Sequence, residues 1–80
     1  MLLDFPVDVD LAAKNISPFI RKTYFSYSTV FSSLLNTEVR FKMENLQVTG
    51  SFKARGAVNK LLSLTKNERQ KGVVSASTGN

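Results

Sequence analysis

The chain has 80 residues, a formal net charge of +5 and 42% apolar residues, which bounds it to one small folded domain and argues against disorder. It contains no cysteine and no histidine, so disulfide frameworks, thiolate nucleophiles, imidazole metal ligation and Ser-His-Asp catalysis are excluded within it. Its basic residues are dispersed, with Arg40 and Lys42 on one strand face and Lys60, Lys66, Arg69 and Lys71 over helix surface and turn, a spacing that predicts a solvated face and no nucleic-acid partner.

At the start, Met1-Leu2-Leu3-Asp4-Phe5-Pro6 lacks the positive n-region of a signal peptide. No apolar run approaches the ~20 residues of a membrane span, so the expectation is a cytoplasmic protein with no membrane partner. Asp8 or Asp10 is expected to cap a helix through Leu11-Ala12-Ala13-Lys14-Asn15-Ile16. Ser17-Pro18 then interrupts it, because the residue before a proline is pushed out of the α region. Tyr24, Phe25, Tyr27 and Phe31 form an aromatic set that reads either as a stacking surface or as buried or interface packing, packing being the commoner use. Ser32-Ser33-Leu34-Leu35 fits a short helix or a turn, and Asn36-Thr37 marks a connection.

The first clear strand pattern runs from Val39 to Glu44, with apolar residues at every second position. A turn follows, with Gly50 for backbone freedom and Ser51 as the expected N-cap. Ala54, Ala57, Val58, Leu61 and Leu62 then carry a helical period to about Leu64. Lys53 falls in the first turn of that helix, where the macrodipole disfavours a cation. A surface lysine gains nothing there, whereas a reactive amine does, because whatever destabilises the ammonium frees the nucleophilic form. Gly50 and Gly56 are assigned to the turn and to close helix packing rather than to ligand contact. Thr65 and Glu68 have the spacing of a capping box for a short helix that Gly72 ends. Val73-Val74-Ser75-Ala76 reads as a short buried parallel strand.

Strand, helix, strand in this order predicts an α/β fold with a right-handed parallel crossover. The loops after both strands, Asn45 to Lys53 and Ser77 to Asn80, then open onto the same sheet edge, where open α/β sheets bind ligands. An amine, a carboxamide and small hydroxyl or amide donors converge there. That set suits an aldehyde cofactor with a ring hydroxyl beside a substrate carboxylate.

The run Glu44-Asn45-Leu46-Gln47, followed by Thr49-Gly50-Ser51-Phe52-Lys53-Ala54-Arg55-Gly56-Ala57, resembles the lysine segment of fold type II pyridoxal-phosphate enzymes, nearest to the threonine and serine dehydratases. The resemblance extends from about Ile16 to Asn80, where Ser75-Ala76-Ser77-Thr78-Gly79-Asn80 is similar to the family's second segment. It implies a three-layer sandwich when complete, a pyridoxal 5'-phosphate cofactor, an amino-acid substrate and a homo-oligomer at full length. It assigns the Schiff-base lysine and α-proton base to Lys53, a cofactor-facing ring to Phe52, and the contact with the cofactor's ring hydroxyl to Asn80. Ser77, Thr78 and Gly79 would hold the substrate carboxylate, with Thr78 a candidate for proton transfer on the second face. Arg55 points away from Lys53 by helical geometry and is assigned a structural role.

On this reading residues 1–80 are the N-terminal segment of a cofactor-binding catalytic domain. Neither the histidine expected after Asn80 nor the family's glycine-rich phosphate loop is among them, and little activity is expected from them alone. Two alternatives remain open at this point. One is another enzyme of the same fold: a serine racemase, threonine synthase or cysteine synthase. The other is a non-catalytic small basic module that binds a partner through its aromatic N-terminal third.

Overall fold

The computed structural model describes residues 5–79. Its elements in chain order are α1 (Phe5–Ile16), β1 (Phe25–Tyr27), α2 (Thr29–Leu35), β2 (Arg40–Lys42), α3 (Lys53–Ser63) and α4 (Lys66–Gln70). Tight 3-10 turns at Ser17–Phe19 and Glu44–Leu46 follow α1 and β2. Pro18 sits in the first of these, so the helix is interrupted where the sequence places the break. Asp8 and Asp10 lie inside α1 and neither caps it; Asp8 is in the first turn, where its charge complements the helix dipole.

Local chemistry accounts for most element ends. The Ser28 hydroxyl accepts the Phe31 N–H at 3.1 Å and starts α2. Asn36 ends it in the left-handed region (φ 51), its N–H donating to the Ser32 and Ser33 carbonyls, a conformation that Asn tolerates better than most residues. The Thr65 hydroxyl accepts the Glu68 N–H at 3.2 Å and the Glu68 carboxylate accepts the Thr65 N–H at 2.8 Å, completing the expected capping box of α4. Gly72 follows with φ +82.

The sheet departs from expectation. Among the described residues it has two strands, β1 and β2, paired antiparallel with Phe25 opposite Lys42 and Tyr27 opposite Arg40. Residues 73–76 form no strand, and Val74 is 99% exposed. The expected parallel strand-helix-strand unit is therefore not formed, because the Val73–Ala76 backbone has no neighbouring strand to complete its hydrogen bonds. The aromatic set is outward as well: Tyr24 and Phe25 are each 61% exposed. Phe31 meets Phe41 edge-on at 5.6 Å, and the Arg40 guanidinium and Lys42 ammonium lie over the Tyr27 and Phe25 rings at 5.5 and 5.8 Å.

Among the described residues the buried apolar side chains are Ile16 on α1 and Ala54 on α3, helices that pack together, while Thr23, Ser32 and Gln47 are buried polar residues. The radius of gyration is 16.5 Å, against about 12 Å for a compact chain of this length. Cohesion therefore rests heavily on directed polar contacts. Gln47, 3% exposed, shows how. Its carbonyl oxygen accepts the N–H groups of Arg21 (2.8 Å) and Val48 (3.1 Å), and its amide donates to the Arg21 carbonyl (2.9 Å) and to Glu44 (3.3 Å). It thereby pairs with Arg21 as a strand residue would, far along the chain from it. Gln47→Ala orphans the Arg21 donor and acceptor and is expected to destabilise the protein by about 1–3 kcal/mol, read as a lower urea midpoint with an unchanged slope.

Candidate functional site

The turn before α3 is built by Gly50. Its φ is +76, a conformation that strains any residue with a Cβ, and its N–H donates to the Gln47 carbonyl at 2.8 Å. Phe52 occupies the N-cap position with no side-chain cap. The Ser51 hydroxyl accepts the Lys53 N–H at 3.4 Å, the bond expected of it as a cap, although the helix itself opens one residue later than a Ser51 cap would start it. Lys53 is the first residue of α3, as the helical period predicts. Gly56 has a different role from the one expected: a Cβ there meets no atom within 4 Å, so close helix packing does not require the glycine.

Lys53 is exposed, and its ammonium makes no hydrogen bond or ion pair among the described residues. The Phe52 ring beside it is 68% exposed. An open depression lies against this turn, lined by Phe41, Lys42, Met43, Glu44, Asn45, Gly50, Ser51 and Phe52. Ser77, Thr78 and Gly79 are exposed and keep to themselves, the Gly79 N–H donating to the Ser77 hydroxyl at 3.1 Å. No hydrogen bond joins them to the Lys53 turn among the described residues. Asn80 lies outside those residues.

The polar cluster behind α3 was not singled out by sequence reasoning. Glu44, whose side chain is 13% exposed, accepts the Arg55 Nε–H in an ion pair, the Thr23 hydroxyl at 2.5 Å and the Gln47 amide at 3.3 Å. Arg21 adds a bond from Nη1 to the Leu46 carbonyl at 3.2 Å, and the Lys42 ammonium donates to the Thr23 carbonyl. Arg55 is thus a structural residue, as its helical position predicts, and Glu44 is its partner. A signal was present: the acid and the arginine bracket the turn. They lie 11 residues apart on different elements, so no single periodicity links them.

These hydrogen bonds, led by that from Arg55 and then by that from Thr23, hold the Glu44 carboxyl down at about 2, against an ordinary 4.5. Desolvation opposes the shift, while the Arg55 charge and the Gln47 amide add to it. Among the described residues no group of acids, histidines or cysteines could hold a metal ion, and no helix is long and apolar enough to cross a membrane.

Comparison with known proteins adds an independent line of observation. Residues 16–80 match the family model described as pyridoxal-phosphate dependent enzyme. The chain is 47% identical over 73 residues to an L-threonine ammonia-lyase of Thermotoga maritima, covering 91% of this chain and 18% of that protein. It is 46% identical over 74 residues to the catabolic L-threonine dehydratase TdcB of Staphylococcus aureus, covering 91% of this chain and 21% of that protein. The chain thus spans about a fifth of the length of the curated relatives it matches. No solved structure matches.

A carboxyl whose folded-state value is depressed stabilises the fold fully above its unfolded value. That contribution is lost as the pH falls through the folded value. For Glu44 the window runs from 4.5 down to about 2. Carbon-detected NMR of the Glu44 carboxyl is expected to show a midpoint near the lower end of that window, and a midpoint at 4.5 would contradict the ion pair.

Proposed function

The chain belongs to the pyridoxal-phosphate dependent enzyme family, and we propose that it supplies the lysine-bearing segment of a dehydratase that deaminates threonine or serine to a 2-oxo acid and ammonia. The family implies a fold type II architecture, and its three-layer sandwich is part of the proposal. The observation that carries the reading is the placement of Lys53: a partnerless amine on the first residue of a helix, following a glycine turn, beside an open depression. The names of the relatives, an L-threonine ammonia-lyase and an L-threonine dehydratase, supply the substrate class.

The donor set fits the cofactor. The residue is a primary amine, the group that condenses with an aldehyde, and among the described residues no side chain blocks it by a hydrogen bond or an ion pair. When bound, pyridoxal phosphate supplies an electrophilic aldehyde and a ring that accepts electron density from the substrate carbon. In this assignment Lys53 would hold the cofactor through Nζ, and the same amine would serve as the base for the substrate Cα proton. Phe52 lends a ring face, and Asn80 a carboxamide for the cofactor's ring hydroxyl. Ser77, Thr78 and Gly79 would offer hydroxyl and backbone N–H donors to the substrate carboxylate, with the Thr78 hydroxyl assigned to pass a proton on the second face. The exposed apolar side chains, Val74 foremost, support reading residues 1–80 as part of a larger catalytic domain, with a homo-oligomer as the assembled form.

The decisive assay incubates the protein containing this chain with L-threonine and L-serine and measures 2-oxo acid and ammonia. Release of both is expected, with kcat lowered by about 10³-fold or more in Lys53→Ala, since the nucleophile and the base are then lost together. Racemisation without ammonia would replace the dehydratase reading with the racemase one. An unchanged rate in Lys53→Ala would remove the catalytic role of that lysine, and absence of deamination and racemisation in the wild type would remove the enzymatic reading.

A further inference from the structure

Lys53 lies on a stretch of chain that is closed on itself. Glu44 is at one end, on the 3-10 turn after β2, and Arg55 is at the other, in the first turn of α3. The Arg55 Nε–H donates to one carboxylate oxygen of Glu44, and the Gln47 amide and the Thr23 hydroxyl donate to the other, at 3.3 and 2.5 Å. Between them the Gln47 carbonyl accepts the Gly50 N–H at 2.8 Å, so the turn itself is tied to a residue that Glu44 holds. The segment approaching Lys53 and the helix leaving it are therefore anchored to a single carboxylate.

The direction of the anchor matters. Successive helical residues are about 100° apart, which places Arg55 about 200° around the helix from Lys53. Ala54, between them, is 2% exposed and packed toward α1. The helix is gripped on its inner side, and the amine is left on the outer side without a contact of its own. Nothing bonded to Lys53 fixes it. Its position is set through the backbone of residues 44–55, and that backbone is braced at Glu44. Charge-assisted hydrogen bonds of this kind are shorter and more strongly directional than neutral ones, and the cluster contains no buried side-chain polar atom lacking a partner among the described residues.

We propose that Glu44, through Arg55 and Gln47, is the positioning residue for Lys53, setting where its Nζ stands when it meets an aldehyde cofactor. This rests on the reading of Lys53 as the reactive amine. Glu44 touches neither cofactor nor substrate in this account, and its action is transmitted entirely by the loop it closes. Loss of its charge lets the first turn of α3 shift relative to the Gly50 turn. A displacement near 1 Å costs a positioned reactive group on the order of a hundredfold in rate.

The test uses the protein containing this chain, pyridoxal 5'-phosphate as the probe, borohydride reduction and peptide mass mapping. The rate of labelling at Lys53 is read relative to that at Lys60, an exposed lysine on the same helix. The wild type is expected to label Lys53 well ahead of Lys60. Glu44→Gln keeps the shape and removes the charge, and is expected to lower the ratio by about tenfold or more. Arg55→Lys, which keeps the charge but loses the planar fork, is expected to fall between the two. In turnover, kcat normalised to the folded fraction read from the urea transition drops for both variants while KM for the amino acid changes little, and this normalisation separates mispositioning from loss of folded protein. A high wild-type ratio unmoved by Glu44→Gln and by Arg55→Lys would overturn the positioning role and leave the reactive-amine reading intact. A wild-type ratio near one would overturn both.

Discussion

One carboxylate organises this chain. Glu44 accepts hydrogen bonds from Thr23, Gln47 and Arg55, which belong to the segment entering β1, the turn after β2 and the helix that begins at Lys53. Removing water from a carboxylate is costly unless its lone pairs are filled. Here three donors fill them, and the depressed protonation of Glu44 records how strongly the charged form is favoured. The turn and the helix mouth at Lys53 follow from that satisfaction: Gln47, held by Glu44, accepts the Gly50 N–H, and Arg55 fixes the far side of α3.

This reliance on polar contacts reflects how little apolar surface is enclosed. Among the described residues Ile16 and Ala54 are the buried apolar ones, and large side chains such as Val74, Phe52 and Phe25 are exposed. A chain held in this way keeps its definition where hydrogen bonds converge and loses it elsewhere. Residues 21–28 and 39–48 are cross-linked by backbone bonds such as Met43 N–H to the Tyr24 carbonyl at 3.1 Å and Ser28 N–H to the Val39 carbonyl at 2.9 Å. Residues 73–79 make only local bonds. The lysine turn belongs to the first kind of region and the Ser77–Gly79 segment to the second. The backbone that carries the proposed cofactor-holding residue is thus braced within this chain, and the segment of the proposed carboxylate-holding residues is bonded only locally.

What the sequence made legible follows the range of the interactions involved. The capping box at Thr65 and Glu68, the left-handed stops at Gly50 and Gly72 and the helix opening at Lys53 depend on neighbours within a turn, and all are present. The parallel strand at Val73–Ala76 depends on a partner strand, which no local pattern can supply. β1 was illegible because it has three residues and pairs outside any simple period. The Glu44–Arg55 pair was hidden for a related reason: its members lie on different elements, and only the path of the chain through the Gly50 turn brings them together. The roles given to Lys53, Phe52 and the Ser77–Asn80 segment came from resemblance to a family.

The most direct measurement is a crystal structure of the protein containing this chain, grown with pyridoxal 5'-phosphate. The account predicts continuous electron density from Lys53 Nζ to the cofactor's aldehyde carbon, with the Glu44–Arg55 pair intact behind the helix. Density joining the cofactor to any other lysine, or a Lys53 side chain ending in solvent beside a bound cofactor, would contradict it.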